Sequence, residues 1–128
     1  MEKKQAMKWV KALRSGKFKQ GKNALKKTEE GKTSYCCLGV LAEISGAVGY
    51  GAASNGLLED RQVRDKCGIA TSDGTPLDEH GRGIPVSSLD AFRINTGYRR
   101  FSNLAGANDM CVSFKAIATW IEKNYKLL

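Results

Sequence analysis

One segment, SYCCLGVLAEISG at residues 34–46, constrains the fold more than any other part of the chain. Its pattern predicts a helix that is apolar around almost its whole circumference, with only Glu43 and Ser45 clearly polar. A helix of this kind has to be covered by other elements on every side. We therefore expect it at the centre of the domain, with Thr33 or Ser34 as its N-terminal cap.

Two features inside this predicted helix point to tight packing. Neighbouring residues point in different directions, so Cys36 and Cys37 are a poor disulfide pair and are expected to pack as small hydrophobic side chains. Gly39 costs about 1 kcal/mol in a helix interior relative to alanine, which indicates that a backbone or a ligand comes close there. Close packing is the favoured interpretation. All four cysteines are predicted to be free thiols in a reducing cytosol, namely Cys36, Cys37, Cys67 and Cys111.

The rest of the chain supplies amphipathic elements that can cover this helix. Helical periodicity predicts helices near residues 2–14, 34–45, 57–67 and 113–125, with Ser113 as the N-terminal cap of the last one. Residues 17–32 are expected to form an ordered loop with one helical turn around 22–27. Turn residues within 68–86 separate three short candidate strands, at 69–71, 75–77 and 84–86. The predicted fold class is α+β and mainly α-helical, a compact helical domain with a small β element in the middle of the chain. A length of 128 residues fits a single domain, 1–128.

The positive charge is strongly localised. Residues 1–32 carry eleven Lys or Arg against three Asp or Glu, and the other 96 residues carry ten of each, so the net charge of +8 lies in the first quarter. This placement favours a local anionic partner, with a solvated lysine coat as an equally weighted alternative. No secretory signal is expected, and no apolar run approaches the roughly 20 residues that span a bilayer.

The basic segment offers groups that suit a phosphate. Guanidinium, ammonium, hydroxyl and amide groups follow each other closely, in Arg14, Ser15, Lys17, Lys19, Gln20 and Lys22. The helix that begins near Tyr35 would add N–H groups at its N-terminus.

Two further stretches are candidates for binding a nucleotide. Tyr98, Arg99 and Arg100 place an aromatic ring beside cations, a combination that can stack on a base and meet a phosphate. Asn108 and Asp109 could bind a base edge or ribose hydroxyls. A turn leading into the last helix is the favoured interpretation of Asn108 and Asp109.

Catalysis is not indicated by the sequence. No phosphate-binding loop, nucleophile elbow or dinucleotide-binding fingerprint is present. His80 lies in a glycine-rich stretch without an evident partner, and the apolar surroundings of Cys36 and Cys37 disfavour a thiolate. We therefore predict a protein that is not an enzyme and has no metal and no cofactor.

Three segments together resemble a known group. KWVKALRSGKFKQGKNAL, YCCLGVLAEISG and LAGANDMCVSFKAIATWIE are similar to the corresponding segments of a group of small uncharacterised proteins of tailed bacteriophages, over roughly half the chain. The resemblance carries no activity and no catalytic residue. It implies a phage accessory protein that acts in the cytoplasm of the host bacterium.

Charge and context together suggest that the protein sequesters a nucleotide-type signal of host immunity, such as a cyclic nucleotide or an ADP-ribose derivative. The alternative is a non-catalytic phage regulator that binds nucleic acid or a host protein, and no membrane partner is expected. A homo-oligomer stays open, because Trp120 can serve either the core or a helix contact between two copies.

Overall fold

The computed structural model describes residues 1–50, 55–86 and 101–128. Within these residues there are five α-helices and one two-stranded antiparallel sheet, so the predicted mainly helical α+β fold is confirmed. The helices are α1 Lys3–Arg14, α2 Cys37–Ile44, α3 Arg61–Cys67, α4 Leu104–Asp109 and α5 Phe114–Asn124; the strands are β1 Lys26–Glu29 and β2 Lys32–Tyr35, and a short 3-10 turn, Tyr125–Leu127, follows α5.

Helix α2 forms the centre of the core, as its composition predicts. Its residues from Cys37 to Ala42 are all buried, and it packs against α1, α3 and α4. Helix α1 contributes the predicted apolar stripe, and the indole Nε1 of Trp9 donates a hydrogen bond to the Cys37 carbonyl oxygen at 2.9 Å. The other face of α1 is exposed to solvent, and the lysines of this helix lie on that face, as is usual for an amphipathic helix.

The interpretation of Gly39 as a point of close packing is confirmed. A Cβ atom on Gly39 would lie 1.7 Å from the carbonyl oxygen of Leu25. That oxygen also accepts a hydrogen bond from the Cys36 amide at 3.3 Å, which fixes the approach of the chain before β1 to the start of α2. Only glycine fits at this contact.

The predicted cap of α2 is wrong. Thr33 and Ser34 belong to β2, where they face Thr28 and Lys27 across the hairpin. Helix α2 therefore starts later than predicted, and its N-cap is Cys36, whose Sγ accepts a hydrogen bond from the Gly39 amide at 3.4 Å.

The prediction of a loop with a helical turn around 22–27 is also wrong, because β1 and β2 form a hairpin here. Glu30 and Gly31 adopt positive φ values of 50° and 74°, the geometry of a two-residue type I′ turn. The chain before β1 adds a second, short pairing, in which Tyr35 exchanges backbone hydrogen bonds with Lys19 and Gly21 at 2.9 and 2.7 Å. The basic segment is therefore held along β2.

Residues 68–86 differ from the prediction of three short strands. They form turns with one isolated antiparallel bridge, between Leu77 and Gly83. Helix α3 is also shorter than predicted, because the Asp60 side chain caps it by accepting from the Gln62 amide at 2.7 Å. In this part of the chain, side chains that hydrogen-bond to nearby backbone amides thus favour turns and a cap over the predicted strands and the longer helix.

The C-terminal helices close the core. Ser113 caps α5 as predicted, accepting from the Ala116 amide at 3.2 Å. Trp120 is fully buried, which supports the core interpretation of this residue. Helix α4 was not predicted; it ends where Cys111 takes a positive φ of 71°. No helix in the described ranges has both the length and the apolar character needed to cross a membrane.

Candidate anion-binding surface

A buried asparagine links the basic segment to the core. Asn108 has no exposed surface, and its Oδ1 accepts hydrogen bonds from the Cys37 amide at 3.2 Å and from Gln20 Nε2 at 3.0 Å. Its Nδ2 donates to the Gly21 carbonyl oxygen at 2.8 Å. Both ends of this amide are therefore occupied by protein partners, as a buried polar side chain requires.

Gln20 extends the same network to the start of α5. Its Nε2 also donates to the Val112 carbonyl oxygen at 2.8 Å, and its Oε1 accepts from the Phe114 amide at 3.1 Å. Asp109 completes the anchoring of the segment, because its Oδ1 accepts from the Asn23 amide at 2.9 Å. Three of the predicted ligand residues, Gln20, Asn108 and Asp109, thus hold the backbone in place.

This network joins three segments of the sequence, KWVKALRSGKFKQGKNAL, YCCLGVLAEISG and LAGANDMCVSFKAIATWIE. Gln20 comes from the first, Cys37 from the second, and Asn108 and Phe114 from the third, and all of them meet here. Gln20, Asn108 and Asp109 therefore have a structural task in this chain. The sequence carries no local signal for it, since Asn108 lies 71 and 88 positions from its partners Cys37 and Gln20.

We use the name lysine surface for four lysines. Lys17, Lys19 and Lys22 lie in or next to the anchored segment, and Lys32 is the first residue of β2. All four are exposed, and none of them forms an ion pair with any residue that the structure describes. The neighbouring lysines of β1 differ in this respect. Lys26 Nζ lies 3.5 Å from Glu43 Oε2, and Lys27 Nζ lies 2.9 Å from Glu29 Oε1.

Two of these lysines face a common groove. Lys19, Lys32 and Ser34 line an open groove of about 660 Å³, whose other lining residues are Glu29 and Glu30. The ammonium and hydroxyl groups are donors that suit a phosphate, whereas the two carboxylates repel a second anionic group. The charged lining of the groove thus consists of two lysines and two glutamates, and the groups that can donate to a phosphate are those of Lys19, Lys32 and Ser34.

Tyr35 supports this surface from within the hairpin. Its ring packs edge-to-face on Phe18, with ring centres 5.2 Å apart. Lys26 Nζ lies 5.6 Å from the centre of the Tyr35 ring, within the range of a cation–π contact. Tyr35 thus orders residues on both sides of the lysine surface.

Arg14 and Ser15 lie apart from this groove. Arg14 Nη2 forms an ion pair with Glu122 Oε2 of α5 at 2.8 Å, and the Ser15 hydroxyl donates to the Ala12 carbonyl oxygen at 2.6 Å. The arginine lowers the pKa of the Glu122 carboxyl through a hydrogen bond and its charge. Arg14 and Ser15 therefore do not line the same groove as Lys19 and Lys32, as one phosphate-binding loop would require. Arg14 links α1 to α5 through its ion pair with Glu122.

The N-terminus of α2 is also not available to a phosphate, contrary to the prediction. Cys36 and Cys37 are buried there. The Cys37 amide donates to Asn108 and the Gly39 amide donates to the Cys36 Sγ, so protein acceptors occupy these donors. The remaining predicted ligand residues, Tyr98, Arg99 and Arg100, lie outside the described residues.

The buried thiols are held in the neutral form. Burial raises the pKa of Cys36 to about 11, and it also raises the pKa of Cys37 and of Cys67. Cys111 is the exposed cysteine. We expect a disulfide reagent at pH 8 to label one thiol per folded chain rapidly and the other three only after unfolding, since a neutral thiol is a poor nucleophile. Mass spectrometry of labelled peptides checks this, and rapid labelling of Cys36 or Cys37 would contradict the buried position of α2.

The parts of the chain that the structure covers contain no group of three or more His, Cys, Asp and Glu side chains that could hold a metal ion. His80 is exposed, with Nε2 3.5 Å from Glu79 Oε1.

The comparisons with known proteins give one match. A family model described as Domain of unknown function (DUF8296) matches residues 1–48, so the chain is similar to that family over α1, the hairpin and α2. Neither the curated proteins nor the solved structures contain a match to this chain.

Proposed function

We propose that this chain is a non-catalytic phage accessory protein that binds and sequesters a phosphate-bearing small molecule, a nucleotide-type signal of host immunity, in the cytoplasm of the host bacterium. The observation that carries the proposal is the lysine surface, with Lys19 and Lys32 facing one groove beside the Ser34 hydroxyl. Lysines without acidic partners leave positive charge that an anionic ligand can neutralise.

The order of the backbone beneath these lysines supports binding. Residues 19–21 pair with Tyr35, and the side chains of Gln20 and Asn108 fix them to the core. Binding of a ligand therefore costs little conformational entropy in this backbone segment, because the segment is already ordered. The lysine side chains themselves still lose rotamer freedom when they bind, which favours ligands that engage two of them at once.

The alternative function is the binding of nucleic acid, or of an acidic host protein, by a phage regulator. One observation favours the nucleic acid: the groove is open, and Lys17 and Lys22 extend the positive surface on either side of it along the chain. A polyanion could contact all four lysines together, and its affinity would then fall steeply with salt.

The first test measures binding by isothermal titration calorimetry with cyclic dinucleotides, ADP-ribose and a short single-stranded RNA. In the double variant Lys19→Gln/Lys32→Gln we expect the affinity for the ligand that binds to fall at least about tenfold, since two charge-assisted contacts are lost. The control is Lys115→Gln/Lys123→Gln, which removes the same charge from exposed positions of α5. Equal losses in both variants would mean that only net charge matters, and would contradict a site in the groove.

A second measurement separates the two functions. Ligands released by denaturing protein recovered from defence-activated bacteria are identified by mass spectrometry. An intact nucleotide supports sequestration, and binding of RNA with a steep salt dependence and no retained nucleotide supports the alternative. Conversion of a bound nucleotide into products would contradict the non-catalytic proposal.

A further inference from the structure

A small pocket lies between the chain before β1 and the first turn of α3. Leu25, Tyr50, Leu57 and Val63 contribute to its lining, and its volume is about 170 Å³. A dry apolar cavity of about 150 Å³ is large enough to hold benzene. The pocket is therefore matched to one ring system.

The polar rim of this pocket consists of hydrogen-bond acceptors. Glu59 and Asp60 line it, and Asp60 Oδ1 is used to cap α3 through the Gln62 amide at 2.7 Å. The carbonyl oxygens of Leu58 and Glu59 are already taken by Arg64. Glu59 Oε1 accepts a long hydrogen bond from Asn55 Nδ2 at 3.5 Å, so Glu59 Oε2 and Asp60 Oδ2 are the carboxylate oxygens without a hydrogen bond to a described residue. These oxygens suit a ligand that carries N–H donors.

A chain of contacts connects the pocket to the positive charge of the hairpin. The Tyr50 hydroxyl donates to Glu43 Oε2, and the same carboxylate pairs with Lys26 Nζ at 3.5 Å. Lys26 follows Leu25 directly, and Leu25 lines the pocket. A ring held there would lie beside the residue that leads into β1, and Tyr50 and Glu43 would link it to Lys26.

We propose that this pocket is the base-binding subsite of a phosphate-bearing ligand, and that it prefers a guanine-type ring. The proposal rests on the function proposed above. Guanine presents two N–H donor groups side by side on one edge, which a carboxylate can accept together, whereas adenine presents an acceptor nitrogen beside its amino group. The apolar side chains of Leu25, Leu57 and Val63 contact the ring, and the Glu59 or Asp60 carboxylate binds its edge.

The test uses four probes, guanosine, adenosine, GDP and pyrophosphate, titrated at one fixed salt concentration. We expect guanosine to bind about tenfold more tightly than adenosine, and GDP more tightly than pyrophosphate. Val63→Phe fills the pocket from within and should abolish guanosine binding while leaving pyrophosphate unchanged. Gln62→Phe is the matched control, because it adds the same ring at the exposed neighbouring position of α3. Circular dichroism melts verify that both variants are folded.

A second variant tests the edge contact without filling the pocket. Glu59→Gln keeps the shape of an exposed side chain and should reduce the preference for guanosine over adenosine. Loss of affinity in Gln62→Phe equal to that in Val63→Phe, or GDP no tighter than pyrophosphate, overturns the pocket and leaves the proposed anion binding intact. Equal binding of both nucleosides overturns the guanine preference. Failure of all four probes, pyrophosphate included, overturns both proposals.

Discussion

Gly39→Ala is expected to destabilise the protein by roughly 3 kcal/mol or more, since overpacking against fixed backbone is among the most costly core changes. The new Cβ would lie 1.7 Å from the Leu25 carbonyl oxygen and 2.5 Å from the carbonyl carbon. The Leu25 carbonyl cannot move away freely, because it accepts the Cys36 amide at the start of α2. The helix and the segment before β1 would have to separate.

Urea unfolding followed by circular dichroism measures this effect. The control is Gly83→Ala, where the nearest atom to the new Cβ is the terminal methyl carbon of Thr75 at 3.1 Å. We expect that variant to lose less than about 1 kcal/mol, since a side chain can shift where a backbone carbonyl cannot. If Gly39→Ala unfolds at the same urea concentration as the wild-type protein, then α2 and Leu25 are further apart than the 1.7 Å contact requires.

Asn108→Ala is expected to cost roughly 3 kcal/mol, because it removes four hydrogen bonds and leaves the buried Cys37 amide without its acceptor. The damage should extend to the basic segment, since the Gly21 carbonyl loses its donor at the same time. Backbone amides of residues 19–23 should exchange hydrogen faster in this variant. Anion binding by the lysine surface should weaken with them.

Hydrogen exchange with mass spectrometry and urea unfolding test this expectation. Asn124→Ala is the control: its side chain makes one hydrogen bond, from Nδ2 to the Trp120 carbonyl oxygen at 3.0 Å, and its loss should cost about 1 kcal/mol. If Asn108→Ala is no less stable than this control, Asn108 is not the residue that joins the three segments.

The sequence predicted the elements whose signal is local and periodic. The apolar circumference of α2 and the stripe of α1 follow from helical spacing, and both are buried as expected. Gly39 was informative for a similar reason, because a glycine that costs stability inside a helix requires a compensating contact. The Ser113 cap followed from a side chain and an amide three residues apart.

Features that depend on distant partners were missed. Asn108 bonds the amide of a residue 71 positions away and the side chain of one 88 positions away, and no local pattern predicts such a contact. The hairpin was missed because Lys26–Glu29 lies among lysines and has little strand propensity, although Glu30 and Gly31 form a standard turn. Long-range pairing with Tyr35 decides the structure of that segment.

The same long-range contacts affect how the protein is made. A ribosome that has reached residue 48 has synthesised α1, the hairpin and α2, but α5, on which α1 packs, and α3 and α4, on which α2 packs, do not yet exist. At about 5–20 residues per second, translation from residue 48 to residue 124 takes roughly 4 to 15 seconds. During that time the apolar helix α2 lacks some of the elements that bury it in the folded protein. The nascent chain is thus expected to need a chaperone, and stalling its synthesis in this interval should promote aggregation.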